Sequence, residues 1–535
     1  MPLRDEGRGM TQRLPSEIGE SDFLGPSPTS QAAYARAMAQ AQEVLRHDFA
    51  SLTECYSGEV PKATAERLAQ LDFCPEQGCD LNQVLEWVGQ NILKHSIVVT
   101  NPHTMAHLHC PPLIPALAAE LLLSAANQSM DSWDQAPAAT YLEQNLVHFL
   151  TQVFGLGNEA DGIFTSGGTQ SNFMALLLAR DKYASEHLGW KIQDQGLPPQ
   201  ASRFRILCSD LAHFSVMKSA AILGLGYAAV VPVKTDAARQ MCPAALRATL
   251  LGLRAENLLP IALVATAGTT DFGSIDPLSE IADIANAEKI WLHVDAAYGG
   301  ALVFSTRHRK FLAGIERADS ITVDFHKLFF QPISCSALLL RDQAAWEVIR
   351  YHADYLNPEE NEDSGFIDLV TKSIQTTRRF DSLKLFVTLQ TLGRQRFAAL
   401  LDGMIDLAQK AGACICADTD LELANTPALA SVVFRYSGHG LEPDMLDRIN
   451  AAARKALLLR SEALIGMTKV DNRVFVKFTL MNPMTTLADV RRVLMLFKQA
   501  VALCLQEPLD AFGHKANHAA SSTNPIQIEC LTLMR

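Results

Sequence analysis

The chain has 535 residues, of which 48% are hydrophobic and 19% charged, with a formal net charge of -12. That length supports a large core and more than one domain. An acidic balance with no run of lysine and arginine argues against nucleic acid and anionic membrane as partners. The most apolar stretch, residues 113–126, is too short to span a bilayer and contains Glu120. The opening MPLRDEGRGMTQ lacks the apolar core of a secretory signal. Eleven cysteines are scattered, and the closest pair, Cys414 and Cys416, has the spacing of neither a zinc knuckle nor a redox pair. We therefore expect reduced thiols, a cytoplasmic location and no bound metal.

Residues 1–30, rich in Gly, Pro, Ser and charge, are predicted to form a flexible N-terminus. Apolar spacing predicts a helical segment over 31–115, broken near Pro61 and Pro75, with two longer helices between 112 and 153. Apolar, β-rich runs follow at 204–208, 228–233, 261–266, 290–294, 320–323 and 335–340. Helical stretches at 170–184, 214–223, 243–253 and 277–287 separate most of them. This alternation predicts an α/β fold with a mainly parallel sheet, a large domain spanning 116–385. Ligands of such sheets sit beyond the carboxyl ends of the strands. A long helix is expected over 371–411. Strands at 431–435 and 474–480, with helices at 443–459 and 487–503, predict a smaller C-terminal α+β domain over 386–507. Residues 508–535 are expected to be a flexible tail.

Four segments carry candidate chemistry. In TSGGTQSN (165–172), small residues leading into an apolar helix let backbone N–H groups approach an anion, and the helix dipole favours negative charge. The hydroxyls of Ser166 and Thr169 add donors. By itself the segment also reads as a glycine turn with a threonine cap, and no GKS or GKT follows to make it a Walker loop. In HVDAAYGG (293–300), Asp295 ends a buried apolar strand. A carboxylate there needs a cationic partner, and a pyridinium nitrogen is one candidate. The alanines leave room for a flat ring, whereas the plainer reading is an Asx-turn. In ITVDFHKLFF, Lys327 lies between two apolar runs, a setting that favours burial and nucleophilic attack on carbonyls. His213, in LAHFS just beyond the strand at 204–208, is a candidate for stacking on a ring, although a lone histidine is commonly structural. An anion cradle, an aspartate for a ring nitrogen and a lysine for an aldehyde are the three handles of pyridoxal 5'-phosphate.

With these residues in view, the sequence resembles the group II pyridoxal-phosphate decarboxylases, the glutamate and aromatic amino-acid decarboxylase superfamily. The matching segments are TSGGTQSN, AHFSV, TAGTTDFGSIDP, HVDAAYGG, DFHK and RRFDSLKLF, within about 101–482. The resemblance implies a type I PLP-enzyme fold, like that of aspartate aminotransferase, and a homodimer with active sites at the interface. It also implies roles. Lys327 carries the cofactor aldehyde, Asp295 partners the pyridine nitrogen, His213 stacks on one ring face and Ala297 presses on the other. Gly168 and Thr169 cradle the phosphate with His326 as a second contact, and Thr269 or Thr270 lies near the cofactor hydroxyl. Lys327, His213 and Asp295 are thus the candidate catalytic residues. Two positions depart from the family pattern. Its favoured proton donor is a tyrosine on a mobile loop, but the matching loop, about 357–368, has none, and Tyr355 lies just before it. Where many members carry an arginine for the substrate carboxylate, this chain has Lys477, in VFVKFTLMNP.

The stretch AHLHCPPLIPALAAELLLSAANQSMDSWDQAPAATYLE is similar to the bacterial L-2,4-diaminobutyrate branch of the family, which makes 1,3-diaminopropane and so feeds polyamine biosynthesis. Related siderophore-pathway enzymes decarboxylate lysine to cadaverine. From the residues alone, Asp131 and Asp134, on either side of Trp133, offer carboxylates to a distal ammonium, or else hold a helix junction. Diaminobutyrate ranks first as the small amino-acid substrate, lysine second and an acidic amino acid third. Aminotransferases and cysteine desulfurases share the fold and the lysine, but the DFHK context and the length before it argue against them. A non-catalytic scaffold is weaker still, because every cofactor handle is present.

Overall fold

A computed structural model describes residues 19–76, 78–438 and 440–506. Most of the expected flexible N-terminus, residues 1–18, and the expected tail at 508–535 lie outside the described residues. Among the described residues, 19–98 with Leu458–Glu462 form one compact unit, and Val99–Leu457 with 463–506 form another.

In the first unit the helices are Pro28–Asp48, Pro61–Leu68 and Leu81–Asn91. Each begins where its sequence provides a start. Pro28 and Pro61 occupy first-turn positions, where a missing N–H costs nothing. Pro61 therefore opens a helix, and the expected break near it is the non-helical stretch 49–60 just before. The side chain of Asp80 accepts from Asn82 N at 2.9 Å and caps the third helix. Gly89 lies so close to the Asp48 carboxylate that a Cβ would have no room, which lets the first and third helices pack closely.

The described strands, in chain order, are β1 (Thr104–Met105), β2 (Asp161–Thr165), β3 (Phe204–Ser209), β4 (Val230–Val233), β5 (Leu259–Thr266), β6 (Trp291–Asp295), β7 (Ser320–Asp324), β8 (Ser336–Leu340), β9 (Leu421–Leu423), β10 (Ser431–Tyr436), β11 (Leu464–Val470) and β12 (Arg473–Thr479). Seven of them form a sheet in the order β2-β8-β7-β6-β5-β3-β4. Only β8 is reversed, pairing antiparallel with β2 and β7, while all other pairs are parallel. Strands of such a sheet are covered on both faces and read as continuous apolar runs. ALVAT of β5 and all of β7 and β8 are buried in that way. The helix Gly168–Leu188 gives Met174, Ala175 and Leu178 to one core cluster and Leu176 and Ala179 to another. A second sheet, in the order β1-β11-β12-β10-β9, is antiparallel except where β1 joins β11. No described helix is long and apolar enough to cross a membrane.

β2 was not anticipated, because DGIFT is short and carries Asp161 and Gly162. The helix expected from 371 instead runs Ser382–Cys416, broken at Gly393 with φ 66°. Residues 373–381 are not helical, and tertiary bonding explains why. The Arg378 guanidinium is buried against Glu143 at 2.9 Å and also donates to Phe164 O at 3.1 Å. Its carbonyl accepts from Met130 N at 3.0 Å. Glu143 Oε1 in turn accepts from Phe164 N at 3.4 Å, so the pair braces β2 just before the glycine turn. Removing one partner of a buried ion pair leaves the other charge uncompensated. Arg378→Met is therefore expected to cost about 3–5 kcal/mol, read as a lower urea midpoint. An unchanged midpoint would mean that Glu143 finds another partner.

Candidate active site

Parallel strands deliver their last residues to one edge of the sheet, and there a cavity of about 350 Å³ opens. Ser166, Gly167, Gly168 and Thr169 come from the turn after β2, and His213 from the turn after β3. Thr266 ends β5, Asp295 ends β6 with Ala297 just beyond, and Asp324 ends β7 with His326 and Lys327 just beyond. Ile333 and Ser334, from the segment leading into β8, close another side. The size suits a small ligand. Of the residues selected from sequence, Gly168, Thr169, His213, Asp295, Ala297, His326 and Lys327 thus meet in one place.

The lysine end is organised by Asp324. Its Oδ2 lies 2.9 Å from Lys327 Nζ and 3.6 Å from His326 Nε2. Its Oδ1 accepts from Ser336 Oγ at 2.5 Å. Asp324 is buried and Lys327 partly so, which gives the amine a fixed counter-charge. His326 is oriented from its other nitrogen, where Nδ1 donates to Cys335 O at 2.9 Å. A Cβ on Gly168 would come within 2.9 Å of Asp324 Oδ1, so the helix N-terminus approaches this carboxylate only because residue 168 is glycine.

The opposite end is organised by Asp295. Its Oδ1 accepts from Ala297 N at 3.1 Å and its Oδ2 from Asn172 Nδ2 at 2.8 Å. His213 Nδ1 lies 2.8 Å from Ser215 Oγ. Burial holds the His213 imidazole below its ordinary value, and the nearby Asp295 carboxylate opposes this less strongly.

Of the other expected residues, Thr270 alone reaches the cavity lining. The hydroxyl of Thr269 turns to Ser274 Oγ at 2.7 Å, while Thr270 lines the cavity. Lys477 is buried behind that turn, donating to Thr270 O at 3.1 Å and pairing with Asp271 at 2.9 Å. Asp131 is buried and accepts from Ser132 N at 3.0 Å, and Asp134, exposed, accepts from Ser132 Oγ at 2.6 Å. Neither belongs to the cavity lining. Tyr355 is exposed and is not among the lining residues either. Among the described residues no cluster of His, Cys, Asp or Glu is placed to hold a metal.

Two residues lining the cavity, Asp324 and Asn172, and one buried behind it, His293, had no assigned role from sequence. Asp324 and Asn172 sit inside the quoted DFHK and TSGGTQSN segments. His293 is two residues before Asp295 on β6, so the period of a strand puts both on one face. That periodicity was the available signal for His293; for Asn172 it was a position one turn into the helix Gly168–Leu188. Asp276, of the SIDP segment, was also missed. It is buried and accepts from Thr266 N at 2.8 Å and Met241 N at 2.7 Å, tying down the end of β5. Burial pushes its carboxyl up to about 6.

The cavity fits pyridoxal 5'-phosphate in its chemistry. It offers one amine with a counter-ion, one buried carboxylate free on its cavity side, and a helix N-terminus at which glycine leaves room. Comparison with known proteins agrees. Residues 65–437 match the pyridoxal-dependent decarboxylase conserved domain. An L-2,4-diaminobutyrate decarboxylase of Rhizobium meliloti (strain 1021) is 44% identical over 473 residues, covering 88% of this chain and 92% of the relative. One of Acinetobacter baumannii is 43% identical, covering 80% and 86%. The solved glutamate decarboxylase domain of diaminobutyrate-pyruvate transaminase and L-2,4-diaminobutyrate decarboxylase from Vibrio parahaemolyticus superposes with a TM-score of 0.83 at 39% identity, covering 90% of this chain and 98% of that one. The two sheets are accordingly those of the type I PLP-enzyme fold, and the chain belongs to the pyridoxal-dependent decarboxylase family, enzymes that remove the carboxylate of an amino acid with pyridoxal phosphate as cofactor.

Proposed function

We propose that this chain decarboxylates L-2,4-diaminobutyrate to 1,3-diaminopropane and CO₂. The convergence of Lys327, Asp295 and a glycine-lined helix N-terminus on one cavity carries the chemistry. The choice of amino acid rests on two relatives of that name at 44% and 43% identity.

Bound pyridoxal phosphate supplies an electron sink for the bond to the departing carboxylate. The chain's own residues do the rest. Lys327 holds the cofactor through its amine, and Asp324 keeps that amine directed into the cavity. Asp295, restrained on both oxygens, favours a protonated ring nitrogen. His213 and Ala297 hold the ring faces. Gly168, Thr169 and His326 hold the phosphate. The turn bearing Thr269 and Thr270 serves the cofactor hydroxyl, and Lys477, which supports that turn, is the candidate for the substrate carboxylate. Asp131 and Asp134 are the candidate acceptors for the distal ammonium.

The assembly belongs to the same reading. The helix Ile114–Ala126 exposes Ile114, Leu117, Leu121 and Leu122, an apolar surface that supports a homodimer with its sites at the interface. We assign the large domain to 116–385, the small one to 386–507, the place of work to the cytoplasm, and the product to polyamine or siderophore synthesis.

Replacing Lys327 by alanine is expected to abolish the visible absorbance of lysine-held cofactor and to lower turnover by on the order of 1,000-fold or more, as loss of an essential nucleophile does. Near-normal CO₂ release by a folded variant would reject the assignment. For the wild-type protein, competition among diaminobutyrate, lysine, ornithine and glutamate is expected to favour diaminobutyrate in kcat/KM by roughly 10-fold or more, since a missing or extra methylene misplaces a buried charge. A preference for lysine would move the chain to cadaverine formation, and one for glutamate would remove the ammonium pocket.

A further inference from the structure

Behind Asp295 a run of buried polar side chains leads from Trp291 to the cavity lining at Asn172 and His213. Trp291 Nε1 donates to Ser320 Oγ at 2.9 Å. The hydroxyl of Ser320, which can both accept and donate, lies 2.8 Å from His293 Nδ1. The Asp295 carboxylate can only accept, so Asn172 turns its NH₂ there and its Oδ1 to His293 Nε2 at 2.9 Å; the proton of the neutral ring sits on Nε2, and Nδ1 accepts from Ser320, with Thr322 Oγ1 a longer neighbour of Nε2 at 3.4 Å. That contact fixes the amide. Its two hydrogens go to Asp295 Oδ2 at 2.8 Å and Ser215 Oγ at 2.9 Å. The backbone N–H of Ser215 donates to His213 Nδ1 at 3.3 Å, so Nδ1 is an acceptor, the Ser215 hydroxyl at 2.8 Å donates to it too, and the His213 ring proton is left on Nε2.

The two ends of this run check each other. It begins at a donor that cannot accept and ends at a carboxylate that cannot donate, and every group between has the one orientation that satisfies both. The interior is closed to solvent, since His293 and Asn172 are buried. Burial lowers the His293 imidazole to about 4, in keeping with a neutral ring carrying a single proton. Turning the Asn172 amide over would set its carbonyl against the Asp295 carboxylate and its NH₂ against the His293 N–H.

We propose that Asn172 and His293 are positioning residues for the reaction, through which one buried amide sets both the oxygen that Asp295 presents to the cofactor and the tautomer that His213 presents to it. This rests on the reading of Asp295 as the partner of the ring nitrogen. Outer partners of this kind change affinity or activity by about 10–100-fold in comparable sites at metals.

The test uses full-length holoenzyme of Asn172→Leu and His293→Phe, which keep the branched or flat shape at somewhat larger volume and lose the bonds, with folding checked by circular dichroism. Cofactor release on dialysis is expected to be about 10–100-fold faster and kcat lower by a similar factor, with substrate KM within about threefold. His293→Gln, whose amide can accept from Ser320 and donate to Asn172, is expected to recover to within about fivefold of wild type. A folded Asn172→Leu or His293→Phe with release rate and kcat within about twofold of wild type would overturn the proposal. If both fail to fold, Ser320→Ala decides, since it removes the hydrogen that selects the tautomer, together with the acceptor of the Trp291 N–H, while leaving Asn172 and His293 in place. About three- to tenfold faster release then supports the proposal, and a wild-type rate rejects it. Asp295→Ala, run in parallel, separates the two readings. If it also keeps the wild-type release rate, the ring-partner reading falls and this inference with it. If Asp295→Ala alone sheds cofactor, only the inference falls.

Discussion

The Asp295 carboxylate, buried at the end of β6, is the constraint around which the site is arranged. A buried carboxylate is unfavourable unless it is paired or hydrogen-bonded. Here the backbone N–H of Ala297 satisfies one oxygen and the Asn172 amide the other, and the remaining approach is from the cavity. The protein thus leaves one direction from which a positive charge is welcome. The geometry depends on β6 lying inside a parallel sheet, because only then do β5 and β7 end beside it and place Thr266 and Asp324 at the same edge.

Charge balance across the cavity follows from the same arrangement. Asp324 neutralises the Lys327 amine at 2.9 Å and is itself held by Ser336, the first residue of the reversed strand β8. An antiparallel β8 is required for this, since its amino end must lie at the edge where the parallel strands finish. The N-terminus of the helix Gly168–Leu188 comes close to the same carboxylate because residue 168 has no side chain. Positive helix end, acidic side chain and amine therefore share a small volume, a setting in which an anion can be bound without displacing the lysine.

Substrate choice is organised differently from cofactor chemistry. Among the described residues lining the cavity, the carboxylates are Asp295 and Asp324, and both are already engaged. The residues nominated for the distal ammonium, Asp131 and Asp134, lie outside that lining. The cofactor chemistry common to the family thus occupies the carboxyl edge of the sheet, and the lining itself holds no carboxylate beyond these two among the described residues.

The parallel sheet and most of the cavity were legible from sequence. Buried parallel strands leave long apolar runs, and cavity-lining groups follow them at the strand ends, so HVDAAYGG and DFHK announce Asp295 and Lys327 by local pattern. Elements whose identity comes from partners were not legible. β2 carries Asp161 and Gly162 and is a strand because β8 pairs with it, while 373–381 leave the helix because Arg378 must reach Glu143. The bonding of Asn172 to Asp295 joins residues 123 apart in the chain. Local sequence sets which residues end a strand or cap a helix. Which oxygen accepts from which amide depends on distances of a few tenths of an ångström between segments remote in sequence, and only tertiary packing decides those.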